Sequence, residues 1–231
     1  MLRSLSHWTF IFACGALLAS MPLLSAEAQE SKVTFKEKDG GLAVMVGTEQ
    51  FTFLHNGPEW AKPFLAPVHA PGGATVTRMI GDPEDKDHPH HKGIWFSVDE
   101  VSKVDAKVKS KHWVEKDPII NENVEILVAE GNPAKLKITN TWKTRDGEPL
   151  VAETSVVSIF GNRVMIYDAT LTALKDPIEF GDTKEGMFAF RFIDDLREVP
   201  SSSEWVSFDR LECDNFPNSV FVKLKQFFEE G

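Results

Sequence analysis

The sequence predicts an all-β protein folded as one large, curved antiparallel β-sandwich, and three observations support this class. Short segments rich in β-branched and aromatic residues recur at near-regular spacing, separated by Gly, Asn and Pro turns. No window longer than about ten residues carries a helical period. No internal repeat or low-complexity linker divides the chain, so we expect a single domain.

The first strands are predicted to form a three-stranded meander over residues 33–38, 42–46 and 50–54. Asp39-Gly40 is typical of the tight turn that joins the first two strands. A second hairpin is then predicted from residues 63–68 and 75–80, around the Pro-Gly-Gly turn at residues 71–73.

Later segments predict longer strands with a cleaner alternation. In residues 135–143, Leu136, Ile138 and Trp142 share one face, while lysines and threonines take the other. Glycine-containing turns then lead into strands at residues 150–160 and 163–174. The length of these strands is what favours a large, curved sandwich.

Residues 1–28 have the pattern of a secretory signal peptide. Arg3 supplies a positive charge, residues 8–24 are almost entirely apolar, and residues 26–28 have the small-x-small pattern of a cleavage site. A membrane anchor is the alternative, but the apolar run is short for a span. We therefore expect an exported, periplasmic or extracellular protein, with a β-sandwich domain over residues 29–193 and a divergent tail over residues 194–231.

Charge and cysteine content exclude several classes of function. The net charge is −10 without a basic stretch, which argues against nucleic acid and anionic membrane surfaces as partners. No later segment resembles a membrane span. Only Cys213 is left after signal cleavage, so we expect neither an internal disulfide nor a cysteine-based metal or redox site.

Three of the seven histidines lie within four positions, in the segment Asp-Lys-Asp-His-Pro-His-His-Lys-Gly-Ile-Trp-Phe of residues 85–96. Pro89 favours extended geometry at His88, which predicts His88 and His90 on one side and His91 on the other. If extension continues, Ile94, Phe96 and Val98 form the core face. His91 then lies near Trp95 on an exposed or ligand-facing surface.

This cluster is open to three interpretations. His88 and His90 could bind a divalent metal completed by Asp82 or another carboxylate, although the glutamate that follows His-x-His in cupin-type sites is absent. Alternatively, a histidine could exchange protons with a sugar while Trp95 stacks on the sugar ring. The third interpretation is a surface loop braced by its histidines.

A second informative segment covers residues 183–192. Phe188, Phe190 and Phe192 share one face as packing residues, and Glu185 and Arg191 fall on the other. These two charged residues are about 20 Å apart if the strand is extended, so they cannot pair with each other. Their face is either the floor of a groove or an ordinary solvated surface. The same alternatives, ligand binding or plain surface, apply to Arg78, and His112-Trp113 is a weaker groove candidate.

Five segments that occur in one order carry a family resemblance: residues 62–68, 71–73, 76–78, 88–96 and 182–191. Together they resemble a family of exported bacterial proteins, frequent in planctomycetes, that is labelled PmoA-like or "methane oxygenase". The methane monooxygenase subunit of that name is an integral membrane protein with several spans, whereas no span is predicted in this mature chain. The label therefore does not describe its activity.

The resemblance implies a galactose-mutarotase-like supersandwich, a fold that binds sugars on a concave β face. Its epimerising members use a histidine acid and a carboxylate base, which gives His90 or His91 as acid and Glu185 as base. Family members usually continue for many more residues than this chain. We therefore expect the C-terminal end to be truncated or divergent, with part of the sheet and site missing and edge strands exposed.

The function expected from these observations is binding or processing of carbohydrate, or of another small polar ligand, without a cofactor. The site is expected at the loop from His88 to Trp95, facing Glu185. The ligand-binding residues are expected to be Arg78, His88, Lys92, Trp95 and Arg191. The alternatives are a non-catalytic sugar-binding module and a metal-dependent enzyme that uses His88 and His90.

Overall fold

The computed structural model describes residues 31–78, 80, 88–193, 196 and 222–224. Residues 222–224 are described by their backbone only. Within these ranges the chain forms fifteen strands and no α-helix. The strands are β1 Val33–Lys38, β2 Gly41–Val46, β3 Glu49–His55, β4 Phe64–Leu65, β5 Ile94–Phe96, β6 Glu100–Lys103, β7 Ser110–Lys111, β8 Ile119–Val128, β9 Glu130–Gly131, β10 Ala134–Lys143, β11 Pro149–Ile159, β12 Met165–Ala173, β13 Ile178–Phe180, β14 Phe188–Phe190 and β15 Val222–Leu224.

These strands form three sheets. The first has seven strands in the order β14-β5-β4-β3-β2-β1-β9, the second has five in the order β15-β12-β11-β10-β8, and a small third sheet has the order β13-β6-β7. Every described pairing is antiparallel except that of β15 with β12. The predicted all-β, antiparallel fold is therefore confirmed, and so is the meander, which is formed by β1, β2 and β3.

One hydrophobic core joins the two large sheets face to face, as the predicted sandwich requires. The burial of β10 alternates at every residue, and Leu136, Ile138 and Trp142 all point into this core. From the other sheet, the ring of Phe96 lies 6.0 Å from that of Trp142 and 5.9 Å from that of Tyr167. Burial of these aromatic rings supplies a large share of the stability of the sandwich.

A buried arginine ties the sheets together at the turn between β11 and β12. Arg163 has a left-handed φ of 65°, and its guanidinium donates a 2.8 Å hydrogen bond to the carbonyl of His69. The same group pairs with the Glu49 carboxylate and lies over the ring of Phe51. Since Arg163 is almost fully buried, these partners compensate for the loss of hydration of its charge.

The predicted second hairpin is present but shorter than expected. Around the Pro-Gly-Gly turn, the Ala70 N–H donates to the Ala74 carbonyl, the Val76 N–H donates to the Val68 carbonyl, and His69 forms an antiparallel bridge with Thr75. Residues 63–68 otherwise contribute the two-residue strand β4. Pro67 and Pro71 have no N–H group, so a regular ladder cannot extend through this segment. Thr77 instead bridges to Phe192, and its hydroxyl accepts a hydrogen bond from the Val68 N–H.

The predicted signal peptide lies outside the described residues, as does most of the predicted tail over residues 194–231. The backbone of residues 222–224 pairs with β12. Over the described ranges, no helix has the length and apolar character needed to cross a bilayer.

Candidate functional site

The three clustered histidines lie in a tight turn rather than in an extended segment. His88 has a left-handed φ of 48°, and the His91 N–H donates a 2.9 Å hydrogen bond to the His88 carbonyl. The expectation that Pro89 holds His88 extended is therefore wrong, because the turn hydrogen bond overrides the local preference set by proline. We refer to residues 88–91 as the histidine turn.

Gly93 connects the histidine turn to β5 in a way that only glycine permits. Its φ is 59°, and a Cβ atom added to it would lie 2.2 Å from the carbonyl oxygen of Leu65. The neighbouring strand β4 thus approaches the Gly93 backbone closely. This close approach fixes where β5 begins and how the histidine turn sits above the sheet.

The turn brings all three imidazole rings into contact. The ring centroids of His88 and His91 are 4.7 Å apart, those of His90 and His91 4.5 Å, and those of His88 and His90 5.7 Å. The predicted separation of His91 from the other two histidines is therefore wrong. His88 is exposed and the other two rings are half-buried, so the cluster is accessible from solvent.

Two tryptophans form a platform beneath the cluster. The His91 ring stacks on Trp95 at 5.1 Å and meets Trp113 edge-on at 5.9 Å. The predicted proximity of His91 and Trp95 is confirmed, but Trp95 is only 3% exposed and belongs to a small core cluster. His91, rather than Trp95, is the ring that a ligand would meet first.

A buried lysine supports this platform from below. The Lys62 side chain is fully buried, and its ammonium group donates to the carbonyls of Trp113 at 2.8 Å and His90 at 3.2 Å. It also lies 5.3 Å from the ring centre of Trp95 and 3.1 Å from a carboxylate oxygen of Glu115. Burial lowers the pKa of Lys62 to about 8, while the Glu115 charge opposes this change.

Glu115 bridges two lysines. Its carboxylate oxygens lie 2.6 and 2.5 Å from the Lys92 ammonium group, in addition to the contact with Lys62. Glu115 has a left-handed φ of 61°, a conformation that is costly for a non-glycine residue and here holds its carboxylate between the two cations. Lys92, predicted to bind a ligand, is thus held by Glu115 close to the rings of Trp60 and Phe64.

These surroundings keep the half-buried imidazoles neutral at neutral pH. Burial lowers the pKa of His91 to about 3, and the neighbouring His90, His88 and Arg191 add to the effect. Burial, together with the charge of Lys62, also lowers the pKa of His90. A neutral imidazole donates one hydrogen bond and accepts another, so both residues can bind hydroxyl groups.

Both predicted arginines lie against the histidine turn. The Arg78 guanidinium donates a 3.0 Å hydrogen bond to the His88 carbonyl and a longer one, at 3.5 Å, to the His91 carbonyl. The Arg78 backbone N–H donates to the Arg191 carbonyl, and the Arg191 N–H donates to the Gly93 carbonyl. The sequence-based expectation had grouped Arg78, Arg191 and the histidines, and the structure brings them together.

With this geometry in view, comparison with known proteins gives one match. Residues 41–209 match a family described as a family of unknown function, DUF6807. The chain belongs to the DUF6807 family. The match covers the whole site from Lys62 to Arg191 and continues past residue 193 into the predicted tail. No curated protein and no solved structure gave a significant match.

In this DUF6807 chain, no contact among the described residues links Glu185 to the histidines. In the register of β5 and β14, Ala189 lies opposite Trp95, and the Arg191 N–H bonds to Gly93 next to the turn. The Met187 carbonyl accepts from Ser97, so the chain leading back to Glu185 runs away from the turn. The Glu185 carboxylate pairs with the adjacent Lys184 at 3.6 Å. Among the described residues, the carboxylate whose charge raises the pKa of His90 is Glu115.

The metal alternative has no complete ligand set in the part of the chain that the structure describes. There, no group of three or more His, Cys, Asp or Glu side chains is arranged to hold a metal ion. Asp82, the predicted third ligand, lies outside the described residues.

Lys62 and Glu115 were not predicted as part of the site. They are 53 positions apart, and neither lies in a motif that indicates a buried ion pair. Lys62 does stand at the start of the segment 62–68 that carries part of the family resemblance. The pairing of His112-Trp113 was the only other sequence signal near Glu115.

Proposed function

We propose that this DUF6807 protein binds a carbohydrate, or another small polar ligand, on the histidine turn. The observation that carries the proposal is the contact among three accessible imidazoles above a tryptophan platform. Two of these imidazoles are held neutral, so they can donate hydrogen bonds to hydroxyl groups and accept from them. The flat rings also offer an apolar surface for the C–H face of a sugar.

The proposal assigns proton transfer to His90 rather than to His91. Mutarotation requires one group to take the proton of the anomeric hydroxyl as the ring C–O bond breaks, and another to give a proton to the ring oxygen. His90 is half-buried, while His91 is held by Trp95 and has a pKa too low for efficient proton transfer near neutral pH. His88 is exposed beside His90 and supplies the second group. Lys62 and Glu115 position the turn and do not contact the ligand.

We also propose the finer assignments that the sequence favours. The sandwich is of the galactose-mutarotase-like type and belongs with the PmoA-like exported proteins, and residues 1–28 direct export. The packing of the two large, mainly antiparallel sheets around one hydrophobic core supports the first of these assignments. The short apolar run ending in a small-x-small pattern supports the last.

A non-catalytic sugar-binding module is the second candidate, and one observation favours it. Glu115, whose charge raises the pKa of His90, is held between two lysines, so it is poorly placed to act as a base. If the imidazoles alone do not move protons fast enough, the same surface binds sugar without turnover.

The test is a panel of free sugars added to the purified chain, read by NMR for ligand binding and for exchange between anomers. We expect one or more sugars to bind and their anomers to interconvert faster than in buffer. His90→Ala should abolish the added exchange while binding persists. His69→Ala, which alters a histidine outside the turn, is the matched control and should change neither. A sugar that binds without faster exchange would reject catalysis in favour of the binding module, and binding of no sugar would reject both.

Metal analysis of the same samples addresses the remaining alternative. Stoichiometric zinc, copper or iron that is lost in His90→Ala would support a metal-dependent enzyme and contradict the cofactor-free mechanism. Wild-type protein that catalyses exchange after dialysis against a chelator would support the cofactor-free mechanism.

A further inference from the structure

A concave site lies away from the histidine turn, where strands β1 and β2 of the seven-stranded sheet face the edge strand β8 of the five-stranded sheet. This pocket has a volume of about 560 Å³, which is in the range of small-molecule sites. Residues from the β1–β2 hairpin form one wall and residues of β8 form the other. Its polar lining includes Glu37, Lys38, Asn56, Asn121, Glu122 and Asn123. None of them belongs to the histidine turn or to its supporting residues.

A chain of side-chain amides reaches this pocket from the core. Asn56 donates a 2.9 Å hydrogen bond to Asn121, and Asn121 donates a 2.9 Å hydrogen bond to Asn140. Asn140 in turn hydrogen-bonds the buried Glu153. Glu153 is anchored by the indole N–H of Trp142 at 2.8 Å and by the Ser155 hydroxyl at 2.7 Å. The orientation of the amides at the pocket is therefore fixed by a network that ends in the core.

A β-bulge shapes the wall formed by β8. In the pairing with β10, Asn123 lies opposite Thr139 and Asn121 lies opposite Asn140, so Glu122 has no opposite residue. Bulges of this kind redirect side chains and are common beside binding sites. Here the bulge allows three consecutive polar residues of β8 to line one pocket.

The charges of the pocket balance, which indicates an uncharged ligand. The carboxylates of Glu37 and Glu122 are matched by the ammonium groups of Lys38, in the lining, and of Lys143, which lies 3.4 Å from Glu122. Amides and carboxylates together provide both donors and acceptors for hydroxyl groups. Val124 and Ile126 add an aliphatic surface for C–H groups.

We propose that this pocket is a second binding site, for a neutral, hydroxyl-rich small molecule such as a sugar ring or a polyol. Asn56 is the principal contact, because its side-chain amide uses only one hydrogen bond, from its NH₂ group to Asn121. Its carbonyl oxygen and second N–H remain available to a ligand hydroxyl pair within the described structure. The proposal does not depend on the function assigned to the histidine turn.

The test uses the side-chain NH₂ resonances of asparagine in ¹H–¹⁵N NMR spectra of the purified chain. Neutral hexoses and pentitols are the probes, with a uronate and Ca²⁺ as charged comparators. We expect saturable shifts of the Asn56 and Asn121 resonances with a neutral probe. Asn56→Ala should weaken this binding about tenfold, because two hydrogen bonds to the ligand are lost. Asn162→Ala, which removes an amide elsewhere, should leave it unchanged.

Two further variants keep the result interpretable. Glu122→Gln alters a half-exposed side chain of the pocket that the fold does not require. This variant should weaken binding, and it tests the proposal even if Asn56→Ala unfolds the chain. His91→Ala should leave these shifts intact while it impairs ligand binding at the histidine turn. Shifts that occur only with the uronate or with Ca²⁺, shifts that persist unchanged in both pocket variants, or no shifts with any probe would overturn the proposal.

Discussion

Lys62 provides a sharp test of the ion network beneath the histidine turn, through the pH dependence of stability. Its pKa is about 8 in the folded chain and near 10.5 when exposed, because the buried ammonium group loses hydration. Between these two values the unfolded chain binds a proton that the folded chain has released. The free energy of unfolding therefore rises with pH over this window, and the contribution is lost as pH falls through about 8.

The size of the effect follows from the two pKa values. A difference between 10.5 and about 8 corresponds to about 3 kcal/mol in the free energy of unfolding. Lys62→Met removes this contribution and keeps an unbranched side chain in the same space. It leaves no unpaired carboxylate, because Lys92 still holds Glu115. The lost hydrogen bonds to Trp113 and His90 lower stability by an amount that does not depend on pH.

The measurement is urea denaturation of wild type and Lys62→Met from pH 7 to pH 11. The informative quantity is the difference between the two curves, because the other titrating lysines cancel in it. We expect wild type to gain about 3 kcal/mol relative to the variant across the window. Lys36→Met, which removes an exposed lysine, controls for the loss of one charge. Parallel curves for wild type and Lys62→Met would refute the assignment of Lys62 as a buried ammonium group.

Three further predictions concern the residues that hold the fold. Burial lowers the pKa of His112 to about 4, so the free energy of unfolding should fall by about 3 kcal/mol between pH 6.5 and pH 4. In denaturation curves, His112→Phe should flatten this dependence on pH. An unchanged dependence on pH would contradict the burial of a neutral ring. Glu153→Ala should lower the free energy of unfolding by about 3 kcal/mol, because Trp142 and Ser155 lose a buried acceptor. The matched change at the exposed Glu130 should cost less than about 1 kcal/mol, and equal costs would refute the buried network. Gly93→Ala should lower the free energy of unfolding by about 2 kcal/mol more than Gly72→Ala does, because of these two sites only Gly93 would place the added Cβ against backbone. Similar losses in the two variants would contradict the close approach of Gly93 to Leu65.

The strands of the sandwich could be predicted because their burial follows local alternation. The alternation of Leu136, Ile138 and Trp142 can be recognised in the sequence because each of these side chains faces one continuous core. Strand β8 was not predicted, since its polar residues at positions 121–123 hide the alternation. Those residues belong to a bulge and to an amide network, and neither produces a periodic signal.

The histidine site was predicted only in part. The cluster, its contact with Trp95 and the grouping of Arg78 and Arg191 could be inferred from residues close in sequence or from paired motifs. The turn at His88 could not, because its left-handed backbone depends on contacts that Pro89 does not reveal. The pairing of Lys62 with Glu115 depends on how distant segments pack against each other. That packing leaves no recognisable pattern in a single sequence.

The central claim is that a small polar ligand binds on the imidazoles of the histidine turn. The most direct measurement is a titration of the purified chain with the sugar panel, observed through the ¹H–¹³C resonances of the histidine rings. We predict saturable shifts of the His90 and His91 resonances with at least one sugar, while the buried His112 resonance stays in place. Histidine resonances that remain unmoved at saturating concentrations of every sugar would contradict the claim.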